Sequence, residues 1–153
     1  MGQRFPIFAT PPEFQTVPTH FTWVDDNATT QCGFPVQFDV VATVKMSVHD
    51  LHNGTVIEID RYVHATTTFT NLNTYSSYTS HNAGPTKFIF QPDGTFSFMV
   101  MGTVAHIRAP GAGLLIKDAG RYVVDQDGNI VFQAGDHPIA LGGNVQGLCT
   151  ALS

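Results

Sequence analysis

The sequence predicts an all-β fold: an antiparallel up-and-down meander that closes into a single seven- to eight-stranded barrel, preceded by an extended, proline-rich N-terminal arm. Long stretches alternate apolar and polar residues, which is typical of half-buried strands. Turn signals containing Gly separate these stretches, and no helical pattern lies between them. Charged residues make up only 12% of the 153 residues, about half the usual share, so little of the chain suits the exposed faces of helices.

Hairpin connections favour a barrel over the other common arrangement of this many strands, a two-sheet sandwich. A meander closes by pairing its first and last strands, whereas a sandwich of the Greek-key type needs crossovers that short turns do not provide. The chain length suits one domain. We therefore expect a barrel domain at residues 35–153.

The N-terminal arm is expected at residues 1–34. Five prolines between Pro6 and Pro35 exclude a helix of useful length there. The segment is nevertheless too apolar to remain in water, so it would pack across the mouth of its own barrel or on a neighbouring molecule. Its candidate contact residues are Phe5, Phe8, Phe14, Phe21 and Trp23.

The first barrel strand gives the clearest signal. Seven apolar residues occupy every second position from Val36 to Val48, which predicts a strand with one buried face. Asn53-Gly54 marks a hairpin turn, and a second strand follows from Thr55 to Phe69. Later strands are expected at residues 86–90, 95–107, 114–124 and 129–135, with turns at Pro92-Asp93-Gly94 and Asp127-Gly128 and a polar strand or loop at residues 75–81.

Two charged residues, Arg61 and Asp118, interrupt strand faces that are otherwise apolar. An unpaired buried charge is very costly, whereas a hydrogen-bonded pair is tolerable, so the two residues are expected to pair inside the barrel. The pair could bind a ligand or only fix the strand register; alternatively, a bulge turns Arg61 outward and Asp60 inward. His106 is expected on the same inward face as Phe98, near the rim of the same cavity. Arg61, Asp118 and His106 are therefore the ligand-binding candidates.

The two cysteines, Cys32 and Cys149, stand near the start of the regular strands and four residues from the end of the sequence. A disulfide between them would close a long loop and stabilise the fold by about 4–5 kcal/mol; two buried thiols are the alternative. No metal or cofactor is predicted, because the sequence has no zinc-ligand spacing, phosphate-binding loop or HExxH motif.

The composition argues against nucleic acid and membrane partners. A net charge of −5 with seven Lys and Arg residues supplies no phosphate-neutralising surface. No apolar run approaches the roughly 18 residues of a membrane span, and residues 1–12 lack the apolar stretch of a signal peptide, so an exported form would already have lost its signal. Asn27 and Asn53 match the N-glycosylation pattern, which matters only in a eukaryotic source.

Five short motifs stand out between residues 32 and 153: CGFPV at Cys32–Val36, TNLNT at Thr70–Thr74, QPDGT at Gln91–Thr95, GRYVV at Gly120–Val124 followed by DQDGNIV, and the terminal GLCTALS. Together they resemble a family of small exported β-barrel proteins that is common in actinobacteria and functionally uncharacterised. The resemblance implies an exported barrel with a disulfide between Cys32 and Cys149. It brings no established activity.

Three functions from different classes fit these features. We expect first a secreted or cell-surface structural protein that self-associates through its N-terminal arm into an oligomer or filament. The alternative is a barrel that binds a small apolar ligand; the 12 Phe and four Met residues would fill much of its interior and so argue against a large cavity. A cyclase- or isomerase-type enzyme ranks third, because no proton-transfer group has an unmistakable setting.

Overall fold

The computed structural model describes residues 11–81, 83–109 and 111–153, and most of them lie in antiparallel strands. Two short helices flank the strands in the chain. The elements in chain order are β1 (Glu13–Val24), α1 (Asp26–Cys32), β2 (Val36–Asp50), β3 (Val56–Asn71), β4 (Ser77–Ser80), β5 (Thr86–Phe90), β6 (Phe96–Ala109), β7 (Gly113–Asp125), β8 (Ile130–Asp136) and α2 (Gln146–Ala151). No helix in these ranges is long and apolar enough to cross a membrane.

All eight strands form one sheet in the order β1-β2-β3-β5-β6-β7-β8, with β4 paired to β3. This order confirms the antiparallel meander. The closed barrel is wrong, because β1 and β8 are the two edges of an open sheet. Each edge strand continues into a segment that covers the core, and these two segments bond to each other: the Gln31 side chain donates to the Gly143 carbonyl at 2.7 Å and accepts from the Val145 amide at 2.9 Å.

The expected arm is, over residues 13–24, strand β1 of the sheet. It pairs with β2 in continuous register from Glu13 opposite Val48 to Val24 opposite Gln37. Every residue of β1 except Thr19 is exposed, because an edge strand of an open sheet has only one neighbour. Phe5 and Phe8 lie outside the described residues.

Helix α1 lies where no helix was expected. The Asp25 carboxylate accepts a hydrogen bond from the Ala28 amide at 2.8 Å and caps the N-terminus. Gly33, with φ of 74°, ends the helix in the left-handed conformation that favours Gly. The seven-residue helix fits between Pro18 and Pro35, and these two caps are a sequence signal that the proline argument overlooked.

The core lies under the two helices at one end of the sheet. It draws on β2, β3, β6 and β7 together with both helices, so the sheet must curl around it. Its buried residues are Ala28, Val36, Phe38, Phe69, Ile107, Ile116, Val145, Leu148 and Leu152. The Phe38 and Phe69 rings meet edge to face at 4.8 Å between centroids, a favourable aromatic geometry.

The predicted disulfide between Cys32 and Cys149 is confirmed. It joins α1 to α2 across a sequence separation of 117 residues. Within the described residues no cysteine is free. Disulfides persist in oxidising compartments, so this bond is compatible with an extracellular protein.

A β-bulge in β3 changes which side chains face the concave side of the sheet. His64 and Ala65 together lie opposite the single residue Ala42 of β2, and His64 has a φ of 53°. One extra residue reverses the alternation of the two faces. From the start of β3 to the bulge, the even-numbered residues of this strand, which include Tyr62, therefore lie on the concave face.

Candidate functional site

A cavity of about 300 Å³ lies on the concave face of the sheet. Its volume is at the lower end of the range of small-molecule sites. Its walls come from β1–β3 on one side and β5–β7 on the other, which the curl of the sheet brings face to face. The cavity is lined by Thr19, Phe21, Trp23, Val40, Ala42, Tyr62, Thr67, Ala83, Gly84, Thr86, Val100, Val104 and Tyr122.

A row of glycines crosses three strands near the cavity. Gly102, Gly120 and Gly135 lie side by side on β6, β7 and β8. A Cβ atom on Gly120 would collide with the carbonyl oxygen of Ala134, so β7 and β8 approach more closely here than any other residue would allow. The glycines therefore permit the close pairing of β7 with β8 next to Tyr122.

Two tyrosines supply the main polar groups of the cavity. Tyr62 extends from β3 and Tyr122 from β7, on opposite walls. Burial, reinforced by the nearby Asp118 and Tyr62, raises the pKa of Tyr122 to about 12. Its hydroxyl is therefore protonated at physiological pH and can donate a hydrogen bond to a ligand.

Tyr122 is positioned by a fully buried polar network. Its ring meets the His137 ring edge to face at 4.9 Å between centroids. The Nδ1 atom of His137 lies 2.8 Å from one carboxylate oxygen of Asp118. The other oxygen accepts hydrogen bonds from the backbone amides of Ile139 at 2.9 Å and Ala140 at 2.7 Å. These bonds fix the chain after β8 against β7 and so hold the wall behind Tyr122.

The structure does not bring Arg61 and Asp118 together. Asp118 is buried as expected, but its partners are His137 and two backbone amides. Arg61 is exposed and lies opposite Lys45 on the outer face. The physical reason is the bulge at His64, which turns Arg61 outward and its neighbour inward, the alternative that sequence reasoning had left open.

His106 does not lie on the expected face. A bulge at Val104 puts one extra residue into β6, so Ala105 lies opposite Asp118 and shares its face. His106 lies opposite Lys117 on the other face. Its carbonyl oxygen accepts a hydrogen bond from the Tyr78 hydroxyl at 3.4 Å, which ties β6 to the neighbouring strand β4.

The expected arm residues divide between the two faces of β1. Phe21 and Trp23 line the cavity, and the Trp23 ring lies 5.3 Å from that of Phe38. Phe14 is 74% exposed on the outer face. Two aromatic residues predicted to contact a neighbour are therefore part of the cavity wall.

A carboxyl pair that sequence reasoning did not single out lies on the concave face below Tyr62. Glu58 and Asp60 are two residues apart on β3 and so point to the same side. Burial raises the pKa of both carboxyl groups, and the charge of Asp60 raises the pKa of Glu58 further. Only knowledge of the bulge could have placed these residues inward.

A second, polar cleft of about 440 Å³ opens between β3 and β6, with His64 and His81 in its wall. It shares Tyr62 and Ala83 with the cavity. We take the cavity as the candidate site because its lining is mostly apolar with few polar groups, the usual character of a small-molecule site. In the described ranges, no group of three or more His, Cys, Asp and Glu residues could hold a metal ion.

No protein-family model matches the chain, and no curated protein or solved structure matches it. The function must therefore be argued from the geometry of the cavity and its surroundings.

Replacing Asp118 with Leu should lower the free energy of unfolding by about 3–5 kcal/mol, because the buried His137 ring and two amides lose their acceptor. Arg61→Met is the matched control and should change stability by less than about 0.5 kcal/mol, as an exposed site does. Urea denaturation measures both. A large loss for Arg61→Met, or none for Asp118→Leu, would contradict these assignments.

The carboxyl pair makes stability depend on pH. A pKa that is raised in the fold means that the folded chain binds the proton more tightly, so stability should fall as pH rises past the ordinary values of 3.8 for Asp60 and 4.5 for Glu58. Asp60→Asn should flatten this fall and stabilise the protein at neutral pH. Urea midpoints across acid and neutral pH measure the effect.

Asp93 provides the control with the opposite sign. Hydrogen bonds from Thr95 lower the pKa of the exposed Asp93, so Asp93→Asn should cost a little stability at neutral pH and none in acid. If Asp60→Asn followed the same course as Asp93→Asn, the buried setting of Asp60 would be wrong.

Proposed function

We propose that the protein binds a small, mostly apolar molecule in the cavity on the concave face of its sheet. The observation that carries this proposal is the cavity itself: an apolar lining with Tyr62 and Tyr122 on opposite walls. A few polar groups among apolar walls orient a ligand, while burial of its apolar surface supplies most of the binding energy.

The cavity walls are held in place before any ligand arrives. On one wall, Trp23 packs against Phe38, which belongs to the core. On the other, the network of Asp118 and His137 fixes the segment behind Tyr122. Such preorganisation reduces the ordering cost of binding.

Filling the cavity should abolish binding. Ala42→Trp places a large ring in the cavity, whereas Val41→Trp adds the same ring on the opposite face of β2, where Val41 is 44% exposed. Naphthylethanol, a neutral fluorescent probe, should bind the wild type and Val41→Trp equally and Ala42→Trp at least about tenfold more weakly. Fluorescence titration measures the three dissociation constants, with thermal melts to establish folding; equal affinities would overturn the proposal.

A second proposal, self-association, is favoured by the exposed edges of the sheet. Edge strands carry unpaired backbone groups that can pair with another chain, and those of this protein expose apolar side chains: Phe14 on β1 and Val131, 59% exposed, on β8. In this proposal the protein is an exported structural or cell-surface component, in keeping with its disulfide and with the motifs of the actinobacterial family. The N-terminal arm and β1 would provide the contact between copies.

Light scattering after gel filtration tests this second proposal. The full chain should be an oligomer, and Phe14→Lys, which places a charge on the exposed edge strand β1, should be a monomer if β1 provides the contact. Val131→Lys on β8 serves as the comparison variant, because it disrupts the other edge only. Full-length protein that is already monomeric would rule self-association out.

A further inference from the structure

The carboxyl pair of Glu58 and Asp60 lies next to the cavity, but it does not contribute to binding the apolar surface of a ligand. Tyr62, two residues from Asp60 on the same face of β3, lines the cavity. Thr86, directly opposite Asp60 on β5, lines it as well. Asp60 therefore has cavity-lining residues on two sides, and the pair lies next to the cavity without lining it.

The buried carboxyl group of Asp60 has that of Glu58 as a hydrogen-bond partner, and this bond offsets part of the rise in pKa that burial causes in Asp60. Asp60 retains only 9% of its exposure, and its Oδ1 atom is buried without a hydrogen-bond partner in the described part of the chain. Among those residues neither Asp60 nor Glu58 forms an ion pair. The nearby cations Lys45 and Arg61 lie on the outer face. Buried charges are normally paired, so this oxygen marks a place for a donor from outside the chain.

The surroundings of the pair suit an organic cation. Phe88 lies opposite Glu58, and Phe98 lies opposite Phe88, with 5.9 Å between the two ring centroids. Aromatic faces attract ammonium groups. A metal ion would need more ligands than two carboxylates, and in the described ranges no group of three or more candidate ligands exists.

We propose that Glu58 and Asp60 bind the ammonium group of an amphipathic amine whose apolar part occupies the cavity. This inference rests on the proposed ligand-binding function and names the class of ligand. A primary ammonium has three N–H donors, enough to reach both carboxylates, including the buried Oδ1 of Asp60. Its positive charge offsets the negative charge of the pair, which has no cation partner among the described residues.

Two probes of the same shape test the inference: naphthylethylamine, which is cationic at neutral pH, and naphthylethanol, which is neutral. The wild-type protein should bind the amine about tenfold or more tightly than the alcohol, because charge-assisted hydrogen bonds are the stronger ones. Asp60→Asn should remove this preference by weakening the binding of the amine. Glu58→Gln should also reduce the preference for the amine, and this second variant provides the test if Asp60→Asn does not fold. Asp93→Asn, an exposed control, should bind both probes as the wild type does.

The outcomes separate this inference from the function on which it rests. If the alcohol binds and Ala42→Trp blocks it, but the amine is no tighter or Asp60→Asn keeps the preference, the amine site is wrong and the cavity function stands. If neither probe binds the wild type, both are wrong.

Discussion

The buried carboxylate of Asp118 holds the segment that follows β8 against strand β7. It accepts hydrogen bonds from the amides of Ile139 and Ala140 and bonds to His137, so the chain that leaves edge strand β8 is turned back over the sheet. That turn delivers α2 to the core and places His137 behind Tyr122. Without this acceptor, the buried His137 ring and two backbone amides would lose their partner, and the turn would be held only by the disulfide and by the bonds of Gln31.

Local sequence patterns were sufficient to predict strands β2, β3 and β5–β8, the hairpins between them and the disulfide, but not strand β1 or helix α1. The alternation from Val36 to Val48 predicts β2 because period-two patterning is a property of a few adjacent residues. Asn53-Gly54 predicts its hairpin for the same reason, since Gly accepts the φ of 82° found there. Cys32 and Cys149 were the only possible pair of cysteines. The strand and hairpin predictions depend on residues that are close in sequence, and the disulfide prediction depends on there being a single possible pair.

The site could not be predicted because it depends on two inserted residues. The bulge at His64 shows in the sequence only as Arg61 on an apolar face, and the bulge at Val104 leaves no mark in the hydrophobic pattern, yet each reverses the faces of a long strand. Asp60 therefore replaces Arg61 on the concave side, and Ala105 replaces His106. The open edges of the sheet could not be predicted either. A meander closes into a barrel only if its first and last strands pair, and the local sequence pattern is the same whether or not they do.

The disulfide divides the molecule in a way that matters wherever proteases are present. Because it joins Cys32 to Cys149, strands β2–β8 belong to one covalent ring, and a single cut in any of their loops leaves every piece attached. Strand β1 lies outside that ring. One cut before Cys32 can detach the strand that carries Phe21 and Trp23, so this wall of the cavity is the part of the molecule most easily lost while the remainder stays in one piece.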